Sequence, residues 1–416
     1  MKILYITPYL PYPQDEGGKI RIFNLLKNLS KKNTIHFLSL IYSNNEIKYL
    51  KILQEYYEKI EVVLHSPPPR NSDLISKTKR ALFNPPDLIT KRYNAELEKL
   101  VKKYISENQY DIICAEQLYA AQYILPHISK LKSTKFVLSE HNIESEIFKR
   151  YISTNKTSSD LQVSKWWLRN YLEIEKLKKY ENSIWKNIKN IIVVSDRDKQ
   201  VIEKSIVNNN IVIIPNGVDL EDFNLQFSAS APPQNIDNKK NFTLVYTGSF
   251  THYPNTDAIL FFYYNVFEQL KKNIPNIILY VVGKNPYPDL TKLNEDKNVV
   301  VTGYVDDVRP YIYNSDLFII PLRIDSKSRL KILQAMGMGK CILSTTIGAE
   351  GIDCKDNENI VIADTADEIL NKIITLYKNK ELREVVGKNA NKLVYEKYDW
   401  RGISEKLDIY FKSLIN

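Results

Sequence analysis

The chain predicts an α/β fold of two doubly wound parallel-sheet domains facing a cleft. Three observations lead there. Its 416 residues exceed what one core of ordinary size organises. Short apolar runs alternate with helical patterns, and the alternation occurs twice. Between the two series lies a stretch, 224–241, that loses periodicity and carries Pro232 and Pro233 among Ser, Ala, Gln and Asn, as a linker does. The organisation expected is therefore a first domain over 1–223, a linker over 224–241, a second domain over 242–398 and a closing helical piece, 399–416, that crosses back to the first domain.

In the first domain the opening run Ile3 to Ile6 reads as a strand rather than a signal peptide, followed by a glycine-containing loop and a helix from Gly18 to about Lys31. Strands are expected at Ile35–Leu40, Glu61–Leu64, Asp111–Cys114, Lys135–Leu138, Asn190–Val194 and Ile211–Ile214. The segment Lys165 to Lys189 predicts a long basic helix, packed inward through Leu168, Leu172, Leu177 and Ile184, or else lying on a membrane interface. In the second domain strands are expected at Phe242–Tyr246, Ile277–Val282, Val299–Val301, Leu317–Ile320, Cys341–Leu343 and Asn359–Ile362, with helices starting at Asn255, Val308, Ser328, Ala366 and Glu381. The tripeptide Asn216-Gly217-Val218 is a tight turn before the linker.

Composition narrows the class. Hydrophobic residues make up 44% and charged residues 26%, as in globular proteins, and no apolar run reaches the ~18 residues that span a bilayer. Three scattered cysteines, Cys114, Cys341 and Cys354, form neither a metal-binding spacing nor a disulfide framework, which points to a reducing cytoplasm. The net charge is +9, with nine Lys and Arg against four acids between Arg70 and Lys103. A basic surface of this kind attracts phosphorylated substrates, anionic lipid or nucleic acid. No nucleic-acid-binding motif accompanies it, so nucleic acid is not expected as a partner.

The most informative stretch runs from Asp316 to Ile352. A strand closed by Pro321 leads through a polar loop into a helix capped at Ser328, with Leu330, Leu333 and Met336 on its buried face and Gly337 and Gly339 ending it. Arg329 and Lys331 then fall in the first turn, where cations oppose the helix dipole unless an anion sits among them. A diphosphate is the natural anion, and an ordinary surface helix with two solvated bases is the competing reading. In the first domain, Gly17 and Gly18 open a helix after a proline-rich loop, so that backbone comes close to whatever sits there. His141 follows a strand, at a carboxyl end where α/β sheets bind ligands; it serves there or caps the next helix with Asn142. Glu140, Glu144 and Glu146 stand near it, and spacing selects none of them as a base.

The segments IIPNGVD (213–219), VYTGSF (245–250), YVVGKNP (280–286) and GYVDDVRPYI (303–312), followed by PLR, RLKIL, AMGMGK and STTIGAEGI, resemble the bacterial family-4 glycosyltransferases of the GT-B fold. The resemblance covers nearly the whole chain. It implies two Rossmann-like domains and transfer of a sugar from a nucleotide diphosphate sugar, with retention and without a metal or other cofactor. The acceptor would be a glycan, a lipid-linked sugar or another glycosylated molecule, as in polysaccharide biosynthesis. The setting implied is the cytoplasm or the inner face of its membrane, with peripheral contact through the basic first-domain surface.

Carried over by position, the resemblance sets His141, Arg329 and Lys331 at the reacting centre. Gly17, Gly18 and Arg21 lie against the donor phosphates or sugar, Gly248 and Ser249 form the loop opening the donor domain, and Val305 offers backbone near the base. Asp325, Ser326, Lys327 and Gln334 complete the donor-binding set. The chain departs from the pattern at Asp325 and Lys327, where relatives carry glycine, and at Gln334, where they carry a glutamate for the ribose hydroxyls. Loss of that charge-assisted bond weakens donor binding by about 1–2 kcal/mol. The alternative reading is accordingly a catalytically weakened relative that serves as a binding or assembly subunit of an active transferase.

Overall fold

The computed structural model describes residues 1–66, 85–154, 161–207, 210–227, 241–324 and 329–416, and for 150–154 and 161–169 the backbone alone. The chain divides into two compact units, Met1–Pro215 with Ile403–Asn416, and Asn216–Gly402.

The first unit is built on seven parallel strands: β1 (Lys2–Thr7), β2 (Thr34–Ile41), β3 (Lys59–Leu64), β4 (Ile112–Glu116), β5 (Lys135–Ser139), β6 (Asn190–Val193) and β7 (Asn210–Ile213). Their order is β3-β2-β1-β4-β5-β6-β7. Strands β1, β4 and β5 are buried almost throughout, which is why they read as unbroken apolar runs and not as alternations. Helices cover the sheet, among them α1 (Gly17–Leu29), α2 (Ala95–Glu107) and α3 (Leu161–Asn187). In α3 the inward side is Ile174, Leu177, Ile184 and Trp185, whereas Leu172, expected inside, is 43% exposed beside Tyr171. Of the described side chains of this helix, the inward ones begin at Ile174. Leu168 lies outside the described side chains.

The second unit has six strands: β8 (Phe242–Thr247), β9 (Ile277–Val282), β10 (Val299–Gly303), β11 (Leu317–Ile320), β12 (Ile342–Ser344) and β13 (Val361–Ile362). The order β10-β9-β8-β11-β12-β13 is that of a Rossmann sheet, winding one way from β8 and the other way from β11. The division between the units falls before Asn216, earlier than the linker expected at 224–241, of which 228–240 lie outside the described residues. The reason is local. Val218 and Leu220 belong to the second core, and Val218 N–H donates to Tyr398 O at 2.8 Å. The last helix, Trp400–Ile415, has its final turns in the first unit, where Asn33 Nδ2 donates to Asp408 Oδ1 at 2.7 Å. Among the described residues no helix is long and apolar enough to cross a membrane.

Candidate active site

Each unit carries a polar cluster at the carboxyl edge of its sheet, at the point where the strand order reverses. In the second unit that point is β8/β11. The loop after β8 begins with Gly248, whose N–H donates to Val282 O at 2.9 Å, and continues to Phe250, which donates to Lys284 O at 3.0 Å. Gly283, at φ +152°, passes so near Gly248 that an added Cβ would run into the Gly248 carbonyl oxygen. Gly283 N–H donates to Gly303 O at 3.1 Å, so the loops after three neighbouring strands are knitted together.

Into this edge projects Lys331, from helix α4 (Leu330–Gly337). Its Nζ donates to Tyr246 Oη and Asn255 Oδ1, both at 3.0 Å, and lies 4.4 Å from the Tyr246 ring centroid. Tyr246 Oη donates to the same Asn255 oxygen at 2.6 Å, and Asn255 Nδ2 donates to Ser249 O at 2.7 Å, which fixes the loop to the lysine's partners. A Cβ on Gly248 would stand 3.1 Å from the Lys331 ammonium. The glycine thus leaves the lysine uncovered. Burial, and then the positive Arg329, pull the Lys331 pKa down to about 7. Among the described residues no carboxylate acts on this cation, and a bound anion would restore its charge.

Arg329 is only 13% exposed; its Nε donates to Glu350 O at 2.8 Å, and Nη2 lies 3.5 Å from Glu350 Oε2. Glu350 is set by the turn before it, in which Thr345 Oγ1 accepts from Gly348 N–H at 2.9 Å. Helix α4 starts at Leu330, with Arg329 in the cap position and no side-chain cap, instead of at Ser328. Ser328 lies outside the described residues, as do Asp325, Ser326 and Lys327. Leu330, Leu333 and Met336 are buried as expected, and Gly339 takes φ +66° just past the helix. Gln334 is half-buried on the same helix, and Val305 stands half-buried in the turn after β10.

In the first unit the reversal is at β1/β4, and the cluster there joins five residues. Glu116 ends β4 and is 2% exposed; Gln117 follows it at φ +63°, an unusual conformation for a residue with a Cβ. Gln117 Nε2 donates to Tyr9 Oη at 2.6 Å and to His141 Nδ1 at 3.0 Å. His141 Nε2 donates to Glu116 Oε1, which also accepts from Ser139 Oγ at 2.9 Å. His141 does sit at a strand end, but its carboxylate partner is Glu116 rather than Glu140, Glu144 or Glu146. Glu140 is buried and accepts from Trp185 Nε1 at 3.2 Å; burial and the nearby Glu181 push its pKa well up, and burial brings Glu181 to about 7.

Gly17 and Gly18 open α1, and a Cβ on Gly18 would collide with Tyr9 Oη, so the small residue is required by the tyrosine above it. Arg21 lies inside the first unit. It is 1% exposed, with Nη1 donating to Pro215 O at 2.8 Å and Nη2 to Ile214 O at 2.7 Å, and burial lowers its pKa. Its side chain closes the end of β7 from within the fold. Glu116, Gln117, Tyr9, Tyr246, Asn255 and Glu350 were not anticipated from the sequence. The usable signal was a polar residue ending an apolar run, as in IICAEQ and LVYTG. Among the described residues no group of three or more His, Cys, Asp or Glu side chains is placed to hold a metal ion.

Comparison with known proteins agrees with this layout. Residues 241–379 match the model of "Glycosyl transferases group 1", and residues 51–222 match that of "Glycosyltransferase Family 4". An uncharacterized glycosyltransferase of Methanocaldococcus jannaschii is 26% identical over 56% of this chain and 60% of its own length. A UDP-Gal:α-D-GlcNAc-diphosphoundecaprenol α-1,3-galactosyltransferase of Escherichia coli is 24% identical over 54% of this chain and 61% of its own. The chain thus matches somewhat under two thirds of these relatives. Among solved structures, sucrose-phosphate synthase from Thermosynechococcus elongatus superposes with a TM-score of 0.71 at 15% identity, covering 100% of this chain and 99% of that one. With both halves of the family matched and two parallel-sheet units of this topology, the chain belongs to the group 1, family-4 type of glycosyltransferases, with the GT-B fold.

Proposed function

We propose that the protein transfers a sugar from a nucleotide diphosphate sugar to a hydroxyl of a glycan, lipid-linked or other glycosylated acceptor, with retention and without a metal. The observation that carries this is the Lys331 ammonium, set over Tyr246, bonded to Asn255 and left open by Gly248, with Arg329 on the same helix start. The acceptor oxygen forms a bond to the anomeric carbon as the bond to the diphosphate oxygen breaks. The electron pair of that bond goes to the diphosphate, whose growing charge Lys331 and Arg329 stabilise. The departing phosphate oxygen takes the acceptor's proton, so no separate base is required. The name of the E. coli relative, which joins a UDP-sugar to a lipid diphosphate-linked sugar, supports this donor and acceptor class.

A thermal-shift panel of uridine, guanosine, adenosine and thymidine diphosphates tests the reading, without metal and then with magnesium. A ligand at about 100 times its Kd adds roughly 2.7 kcal/mol to the folded state. Stabilisation by one base without metal is the expected result. A response only with magnesium removes the metal-free part, and silence throughout removes the donor reading and favours the assembly-subunit alternative.

The Lys331 pKa gives a second test. A diphosphate bound to the ammonium holds it charged, so binding above pH 7 takes up a proton. Affinity for the diphosphate is expected to fall by up to about tenfold per unit between pH 7.5 and 9. Titration calorimetry in two buffers of different ionisation enthalpy reads the proton directly, and pH-independent affinity with no uptake contradicts the assigned contact.

A further inference from the structure

We propose that Arg92 centres an anion site on the first unit that takes a phosphate of the acceptor, which selects, among the acceptor classes named above, one carried on a phosphate or diphosphate. The inference rests on the transferase reading, and every residue of the site belongs to the first unit.

Arg92 comes from the basic stretch Arg70–Lys103, to which the donor site gives no role. It stands just before α2, whose start is tied to the carboxyl edge of the sheet. There the Asn94 side chain caps the helix, accepting from Glu96 N–H at 2.9 Å and Leu97 N–H at 3.1 Å, while its Nδ2 donates to Leu64 O, at the end of β3, at 3.2 Å. Arg92 is thereby set at the edge where open α/β sheets bind ligands. Its guanidinium carbon lies 4.1 Å from the centroid of the Tyr119 ring, in the helix that follows β4, and that ring is 5% exposed. A buried aromatic face under the guanidinium holds it flat and attracts its charge. Nη1 donates to Leu88 O at 3.2 Å. Tyr42, just past β2, is the third contact: its hydroxyl donates to Pro8 O at 3.2 Å, and Arg92 acts on its oxygen as a charge and as a hydrogen-bond donor. Of the five guanidinium N–H groups two are used in this way, which leaves three for a ligand.

Among the described residues no carboxylate forms an ion pair with Arg92. Those that act on its tyrosine partners are engaged elsewhere. Glu46 accepts from the N–H groups of Tyr42 and Ser43 at 2.7 and 2.9 Å, and Glu144 is bonded to the Tyr119 hydroxyl. A half-buried arginine fork held in one plane matches the paired oxygens of a phosphate or a carboxylate. The surrounding charge favours the phosphate: nine Lys and Arg against four acids in the stretch attract the more highly charged anion more strongly.

Titration calorimetry on the full chain tests the site, with farnesyl diphosphate as the probe and UDP present at saturation so that the diphosphate seat at Lys331 is filled. Arg92→Gln is expected to lower affinity for farnesyl diphosphate about 10–100-fold and to leave that for UDP unchanged. Arg92→Lys keeps the charge without the planar fork and recovers only part of the loss, which separates recognition from general attraction. Farnesol, which lacks the phosphates, is expected to bind wild type and Arg92→Gln alike. Vesicles containing phosphatidylglycerol identify the other source of the same chemistry: if Arg92→Gln weakened vesicle binding and spared farnesyl diphosphate, the phosphate would be that of a membrane headgroup, and the acceptor assignment would be overturned. Undiminished farnesyl diphosphate binding by Arg92→Gln overturns the site, as do equal losses for UDP and a wild-type protein that does not bind the probe. Wild-type protein that binds the probe and ignores UDP leaves the site standing and overturns the donor reading instead.

Discussion

Replacing Lys331 with methionine is expected to lower kcat by about 10²–10³-fold while leaving the fold intact or slightly more stable. Both effects have one cause. The ammonium lies over Tyr246 and against Asn255 with its pKa pulled down to about 7, so the folded protein is paying to keep a charge there. The gain comes only when negative charge develops on the leaving diphosphate, and removing one such preorganised donor typically costs two to three orders of magnitude in turnover. Methionine fills the same channel over the ring and leaves Tyr246 Oη bonded to Asn255. The pH dependence separates this from a packing effect. A lysine of ordinary pKa 10.5 in the unfolded chain and about 7 in the fold releases a proton on folding. Wild-type stability therefore rises with pH between about 7 and 10.5, and the penalty is fully present below pH 7. Lys331→Met should lose that slope in denaturant melts at pH 6.5 and 9. Arg329→Ala should also lose turnover, but with some stability, because Glu350 O loses its donor at 2.8 Å. Wild-type turnover in Lys331→Met would show that the diphosphate leaves elsewhere.

What the sequence disclosed follows from what is periodic in it. Strands buried on both faces leave unbroken apolar runs, so LFII and IILYVV were visible, and their alternation with helices dictated two sheets. Lys331 was also legible, because it falls in the first turn of a helix whose buried face the sequence marks, and Gly248 was expected only from the family resemblance. Their partners were not. Tyr246 and Asn255 look like core and helix residues, since Tyr246 is fully buried in β8 and only its Oη reaches the polar edge. Arg21 was set against the donor by the resemblance alone, and its partners Ile214 and Pro215 stand 193 and 194 residues away, beyond the reach of local pattern. Glu116 shows the same difficulty: a carboxylate at the end of IICAE takes its meaning from His141, 25 residues on, across a strand pairing that places Glu116 beside Ser139.

Gly283→Ala should be the most damaging methyl group that can be added to the second unit. Two costs combine there, and two other glycines separate them. At φ +152° a side chain is disfavoured whatever the space around it, and the Cβ would also strike the Gly248 carbonyl oxygen. Gly248 cannot step aside cheaply, because its N–H is bonded to Val282 O at 2.9 Å and Phe250 N–H to Lys284 O at 3.0 Å. Backbone strain and overpacking together are expected to cost about 2–4 kcal/mol, or roughly 5–15 °C in Tm for a unit of this size. Gly303, at φ +70° with nothing within 4 Å of its Cβ position, carries the conformational cost alone, so Gly303→Ala should lose only about 1 kcal/mol. Gly402, helical and equally open, should gain about 0.5–1 kcal/mol as alanine. Any movement of Gly248 that relieves the clash shifts the residue whose missing Cβ leaves room for the Lys331 ammonium, so Gly283→Ala should weaken diphosphate binding where Gly402→Ala does not. If Gly283→Ala melted with Gly303→Ala and bound diphosphate like the wild type, the knitted loops would not be what holds the site open, and Gly248 would owe its smallness to something other than Lys331.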